Sequence, residues 1–219
     1  AVCPFCTNHC KRTIITFSNG HSWVTNNRCE KGSILGEPKD QEVSRKLKEQ
    51  IQKEKAVPNL FKTREKLLFS TYPCTPVREV TEDSTVIGLP RVLSYWEYMP
   101  FWSTFFTSLG FRIKLSDKST RKIYEQGLSA VTSDTVCFPA KLVHGHIKAL
   151  LDKGVKTIFH PCMSYNFDEK ISDNHFNCPV VAYYPELING NMDVVHREGV
   201  RYLFPYIGLN DPKIFQKKI

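Results

Sequence analysis

No run of apolar residues in this chain is long enough to cross a bilayer, and its first residues lack the zones of a secretory leader, so neither a membrane span nor export is expected. It has no GxxxxGK-type phosphate loop, which argues against a P-loop ATP-hydrolysing module. Internal repeats and low-complexity tracts are absent, which sets aside solenoid and disordered architectures. Acidic residues are the minority charge, 22 Asp and Glu against 30 Lys and Arg, and the net charge of +8 raises the question of a polyanionic partner. The densest basic stretch, Arg45 to Lys55 (RKLKEQIQKEK), is interrupted by Glu49 and Glu54, however, and reads as a solvated helix face. Nucleic-acid binding is therefore disfavoured.

Cysteine, by contrast, is plentiful and clustered. Cys3, Cys6 and Cys10 fall in the opening CPFCTNHC, and Cys29 follows. Without a leader, the CxxC opening suits a metal site in a reducing cytosol better than a disulfide framework, and a cytoplasmic location is expected. Four thiolates suit either structural zinc or a 4Fe-4S cluster. Zinc ribbons pair two CxxC knuckles and this chain has one, so spacing leaves the two metals open. His9 and His21 are spare donors that four cysteines make unnecessary.

At 219 residues, 41% apolar and 24% charged, the chain is long enough for one main domain and an appendage. The expected division is a Cys-rich lobe at 1–36, a helical connector at 37–80 and an α/β domain at 81–219. In the lobe, Thr13 to Phe17 and Ser22 to Thr25 flank Ser18-Asn19-Gly20, a hairpin signal. So few apolar residues point to a bound metal or cluster as its support. The connector predicts helices over Asp40 to Lys55 and Leu60 to Phe69, separated by Pro58. Beyond Pro73 and Pro76, strands are predicted at Thr85 to Leu89, Phe111 to Leu115, Val155 to His160, Val180 to Tyr184 and Tyr202 to Tyr206. Helices are predicted at Tyr95 to Leu109, Ser119 to Gly127 and Pro139 to Lys153, with Gly110 and Gly154 as stops. This alternation implies a Rossmann-like, mainly parallel sheet with helices on both faces. The chain starts at Ala1 without a Met and ends on QKKI, and is expected to be a piece of something larger.

A second cysteine set, Cys137, Cys162 and Cys178, lies in the α/β region. Cys137 precedes Pro139, so its thiolate would sit at the positive end of a helix. Cys162 follows a strand and Pro161, at the carboxyl edge where open α/β sheets bind ligands. Cys178 precedes a predicted strand, which in a strictly parallel sheet is the opposite edge. Taken alone, three separated cysteines in an α/β domain read more often as buried apolar residues than as ligands. Lys141, His144 and His146 follow Cys137, and His160 stands beside Cys162; hydrogen bonding near a cofactor is one reading, capping or surface positions the plainer one. Arg91 reads as a surface ion pair or an anion contact. The aromatics Tyr95, Trp96, Phe101, Trp102, Phe105 and Phe106 read as core, and Cys74 as a free thiol.

The runs IGLPRVLSYWEYMPFWSTFFTSLGF (Ile87 to Phe111), DTVCFPAKLVHGHIKALLDKGV (Asp134 to Val155), HPC (His160 to Cys162) and NCPVVAYYPELI (Asn177 to Ile188) resemble the uncharacterised domain found beside the activase modules of large 2-hydroxyacyl-CoA dehydratase activator-like proteins. CPFCTNHC and NNRCEKG (Asn26 to Gly32) are similar to the opening of that domain. The wider family, which includes 2-hydroxyacyl-CoA dehydratases and double-cubane-cluster reductases, holds iron-sulfur clusters through three cysteines per subunit. The resemblance implies Cys137, Cys162 and Cys178 as ligands of a 4Fe-4S cluster with one iron free of thiolate. It also implies electron transfer or reductive radical chemistry in anaerobic metabolism and an acyl-CoA-type substrate. The implied partner is an ATP-dependent activase module or a dehydratase subunit, in the same parent chain or another. The dehydratases' subunits are longer, so a component inactive alone is expected. The competing expectation is a non-catalytic docking module with zinc at Cys3, Cys6, Cys10 and Cys29.

Overall fold

The computed structural model describes residues 1–218. The chain divides into two compact units, Ala1–Lys62 and Thr63–Ile219. In the first, β1 (Thr13–Thr16) and β2 (Ser22–Thr25) pair antiparallel with Thr13 opposite Thr25 and Thr16 opposite Ser22, as the hairpin signal predicts. Cys3, Val24 and Val43 are its buried apolar residues, so apolar burial contributes little. A polar residue fills the centre instead: buried Arg12 donates from Nη1 to the carbonyls of Gly32 at 2.8 Å and Ile34 at 2.6 Å, and stacks on Phe5. Helix α1 (Gln41–Ala56) carries exposed Glu42–Lys46 and Arg45–Glu49 pairs one turn apart. This is the solvated face that its alternating charges indicate.

The second unit contains α2 beyond Lys62 (the helix spans Leu60–Leu68) and a four-stranded parallel sheet of order β4-β3-β5-β6. The strands are β3 (Val86–Leu89), β4 (Arg112–Leu115), β5 (Thr157–Phe159) and β6 (Arg201–Leu203). The register sets Val86 opposite Arg112, Gly88 opposite Ile158 and Phe159 opposite Leu203. From β3 the chain goes outward to β4 through α3 (Tyr95–Ser108), then back across β3 to β5 through α4 (Arg121–Gly127) and α5 (Phe138–Asp152). With right-handed crossovers this reversal puts helices on both faces, and the two cores agree. Leu89, Ile87 and Phe159 pack with Tyr95, Met99, Trp102 and Phe106 of α3. Ile158 packs with Val143, Ile147 and Leu150 of α5 and with Tyr184 and Ile188. The aromatic run is core, as expected, and α7 (Pro212–Lys218) adds Phe215 to its outer side.

Two expectations are corrected. Val180 to Tyr184 is not a strand but the first half of a helix, α6 (Pro179–Asn191). The β-branched pair Val180-Val181 suggests a strand, but Pro179 at the first helical position starts a helix, and Ala182, Tyr184, Pro185 and Ile188 are buried at helical spacing. Packing of that face overrides local propensity. The histidines are also not surface or capping groups: His144, His146 and His160 are all buried. His144 Nε2 lies 3.0 Å from the Tyr184 hydroxyl and His160 Nδ1 2.9 Å from the Tyr202 hydroxyl. His146 is held at both ring nitrogens, by Ser116 Oγ at 2.8 Å and Ser119 Oγ at 2.9 Å.

Between His144 and His146 stands Gly145, where α5 meets α4. A Cβ there would lie 1.8 Å from the Ile123 carbonyl oxygen, and one at Gly127 would lie 2.2 Å from the Gly145 nitrogen. The Gly145→Ala variant is expected to push the helices apart at a cost of about 1–3 kcal/mol or more, lowering Tm by roughly 5–10 °C in a thermal melt. An unchanged Tm would show that the helices can separate freely.

The histidines add a pH dependence. Burial lowers His144 and His146 to about 4 and His160 to about 3, with Arg91 also lowering His146 and Asp117 opposing it. In the unfolded chain each titrates near its ordinary value of about 6.5. The unfolded state therefore binds more protons below that pH, and the stabilisation is fully present above it. Stability should fall as pH drops from about 6.5 towards 4, by up to about 1.4 kcal/mol per pH unit per histidine. Urea titrations at pH 7.5 and 5.0 measure this, and His146→Asn should flatten the slope.

Candidate functional site

The reversal of strand order between β3 and β5 makes a topological switch point, where the loops after the two strands diverge and leave a crevice at the carboxyl edge. His160, Pro161 and Cys162 form the loop after β5. Cys162 is 1% exposed, and its backbone extends the parallel ladder: its N–H donates to the Pro205 carbonyl at 2.9 Å, and its own carbonyl accepts from Ile207 at 3.0 Å. Burial pushes its thiol up, while a backbone hydrogen bond at Glu186 and the Tyr206 hydroxyl pull it down and the Glu186 charge pushes it up again. Tyr206 in turn donates a hydrogen bond to Glu186 Oε2.

Cys137 and Cys178 are exposed and occupy matching positions, each the N-cap of a helix with proline in its first turn. Their backbones are nearly superposable in dihedral angle, φ −60° and ψ 151° at Cys137 against φ −61° and ψ 150° at Cys178. Neither thiol is used to cap its helix. Helices that return between parallel strands start at the carboxyl edge, so α5 and α6 both present their N-termini there. The helix at Pro179 thus removes the objection that Cys178 lies on the opposite edge, and all three cysteines fall on one edge of the sheet.

A link that the sequence does not reveal ties two of them together. The segment from Met163 to Asn177 folds back on itself as a flap, with Tyr165 bridged to Phe176 and Asn166 N–H donating to the His175 carbonyl at 2.7 Å. At its base, Asn177 donates from Nδ2 to the Met163 carbonyl at 2.9 Å and from its backbone to Ser164 at 3.0 Å. The chain neighbours of Cys162 and Cys178 are therefore hydrogen-bonded to each other. Cys137 lies near α6, close enough for its charge to raise Tyr184, whose larger shift comes from burial. Tyr202 is likewise raised by burial and then by Cys162. A tyrosine hydroxyl paired with a buried histidine thus stands behind each of Cys137 and Cys162.

Arg91, in the loop after β3, is committed elsewhere: its Nη2 lies 2.5 Å from Glu65 and its guanidinium stacks on Phe69, 3.9 Å from the ring centre. It makes an ion pair, as expected, but with its side chain largely buried and not on the surface. Lys141 donates to the Asp134 carbonyl at 2.8 Å.

In the first unit, the Cys3 N–H donates to the Cys10 carbonyl at 2.8 Å, and the neighbouring Val2 and Lys11 are bridged. Cys6 and Cys29 are exposed and both act on Lys31, whose ammonium is raised first by its hydrogen bond to Glu54. All eight cysteines are free thiols, Cys74 half-buried among them. Among the described residues, no three His, Cys, Asp or Glu side chains are gathered closely enough to hold a metal ion. Nor is any described helix long and apolar enough to cross a membrane.

No curated protein and no solved structure matches the chain significantly. A family model described as the CoA enzyme activase uncharacterised domain matches residues 86–219, a span that takes in the whole parallel sheet, the flap and Cys137, Cys162 and Cys178. The chain belongs to the CoA enzyme activase uncharacterised domain family.

Proposed function

We propose that the α/β unit is the iron-sulfur domain of a CoA-enzyme activase system, with Cys137, Cys162 and Cys178 holding a 4Fe-4S cluster that has one iron free of thiolate. What supports this reading is the place of each cysteine in the fold, after β5 or at the start of a returning helix, on the carboxyl edge of one parallel sheet. The donor set suits the group: three soft thiols, no fourth cysteine in the loops that carry them, and no competing use of the two exposed thiols as caps. When bound, such a cluster supplies one-electron transfer and a Lewis-acidic iron for a substrate oxygen.

The chain's own residues have separable roles in this reading. Cys162 is the buried anchor, fixed by the β5–β6 ladder. Cys137 and Cys178 bring two helix N-termini, whose free N–H groups favour the negative charge of a thiolate-ligated centre. The Tyr184–His144 and Tyr202–His160 pairs keep polar hydrogens beside two of the ligands, and the base of the flap ties the chain next to Cys162 to the chain next to Cys178. In this reading the partner is an ATP-dependent activase module or a dehydratase subunit, in the same parent chain or another, and the substrate is of acyl-CoA type. Cys3, Cys6, Cys10 and Cys29 hold a second centre, zinc or 4Fe-4S.

The test is iron and acid-labile sulfide content with a visible spectrum, on protein prepared and reconstituted without oxygen. Iron and sulfide are expected, and Cys137→Ala with Cys162→Ala should weaken iron retention by at least about tenfold while Cys74→Ala does not. Zinc alone, or iron unaffected by the double substitution, would overturn this reading and leave a zinc-bearing docking module.

A further inference from the structure

On the α3 side of the α/β unit lies a cavity of about 540 Å³, within the size range of small-ligand pockets. Its walls are aromatic, formed by Tyr98 and Phe101 of α3, Phe167 of the flap and Phe215 of α7. Its charged groups are Glu97 and Glu169, and among the described residues no Lys, Arg or His lines it, in a chain whose net charge is +8. Neither carboxylate has a cationic partner among the described residues. Glu97 is oriented by a neutral donor, Asn166 Nδ2 at 3.1 Å. The Tyr98 hydroxyl is buried, with no side-chain hydrogen-bond partner among the described residues and the Phe167 backbone beside it. Burial and then the charges of Glu97 and Glu169 push its ionisation far above the ordinary phenol range, which puts both carboxylates near the hydroxyl.

An anion entering here meets two like charges. A neutral apolar ligand would strip water from both carboxylates and return nothing to them. A cation on an apolar body meets neither penalty, because aromatic faces attract positive charge and the carboxylates neutralise it. The geometry points to a surface-open binding site for a small organic cation, a substituted ammonium ion, walled by Tyr98, Phe101, Phe167 and Phe215 and neutralised by Glu97 and Glu169. This site uses none of the cysteines and stands whether or not they bind a cluster.

Benzyltrimethylammonium, titrated into the full chain and followed by amide and aromatic NMR shifts, is a direct probe. Saturable binding is expected, with shifts centred on α3, the flap and α7. Neopentylbenzene, the neutral analogue of the same shape, should bind at least about tenfold more weakly. Glu169→Gln and Glu97→Gln should each weaken the cation about threefold to tenfold, with amide signals remote from the cavity unchanged. Because Glu169 lies on the flap, its variant keeps the test open if Glu97→Gln disturbs α3. Equal affinity for the neutral analogue, the absence of saturable binding, or unaltered affinity in well-folded Gln variants would each overturn the assignment.

Discussion

β5 is buried on both faces and hydrogen-bonded on both edges, and the α/β unit is registered on its three residues. Ile158 points into the α5–α6 core and Phe159 into the α3 core, where its ring lies 4.8 Å from Trp102 and 4.9 Å from Phe106. The opposite register across β3 is equally specific. Gly88 faces Ile158, and a Cβ on it would come within 2.7 Å of Val155. Because side chains alternate, a slip of one residue would exchange the faces and bury the wrong set. The same register places Cys162, three residues beyond Phe159, beside Tyr206 and over Glu186. The site and the core thus depend on one alignment.

Helix α5 is fixed by a different kind of constraint. Gly145 sets its distance from α4 through direct backbone approach, while its neighbours hold its rotation, His144 towards Tyr184 on α6 and His146 towards Ser116 and Ser119 beyond β4. Neutral buried histidines suit this role because one ring offers both a donor and an acceptor. His146 uses both. His144 leaves Nδ1 buried and unpartnered, a loss that an apolar residue would avoid. Two turns upstream, the position of Cys137 follows from these three residues.

Much of this architecture is legible in the sequence. Strand and helix alternation, the stops at Gly110 and Gly154, the aromatic core of α3 and the hairpin at Gly20 follow from periodicity and turn chemistry. The helix at Pro179 is missed because Val180 and Val181 carry strand propensity, although the cysteine-then-proline signal at Cys137 recurs at Cys178. The burial of His144 and His146 is missed because it depends on which face of α5 meets α4 and α6, and that of His160 because it depends on packing against Tyr202 of β6, both set by long-range contacts. Arg12, Asn177 and the carboxylates of the aromatic cavity belong to the same class. Each acquires its role from partners distant in the chain, and no local pattern announces them.

The three edge cysteines are unequal, and the inequality matters to the proposed cluster. Cys162 is locked by two backbone hydrogen bonds and buried, so its sulfur has little freedom. Cys137 and Cys178 stand at exposed helix starts, where a side-chain rotation or a small shift of the first turn costs far less than breaking a ladder. Thiols not gathered for a metal are therefore compatible with a scaffold in which one ligand is fixed and two close onto it. The flap strengthens this arrangement, since Asn177 ties the start of α6 to Met163 while the tip carrying Phe167 and Ile171 remains exposed. Rigidity is concentrated at the strand and freedom at the helix ends, a division that would let this edge accept a centre without disturbing the register of β5.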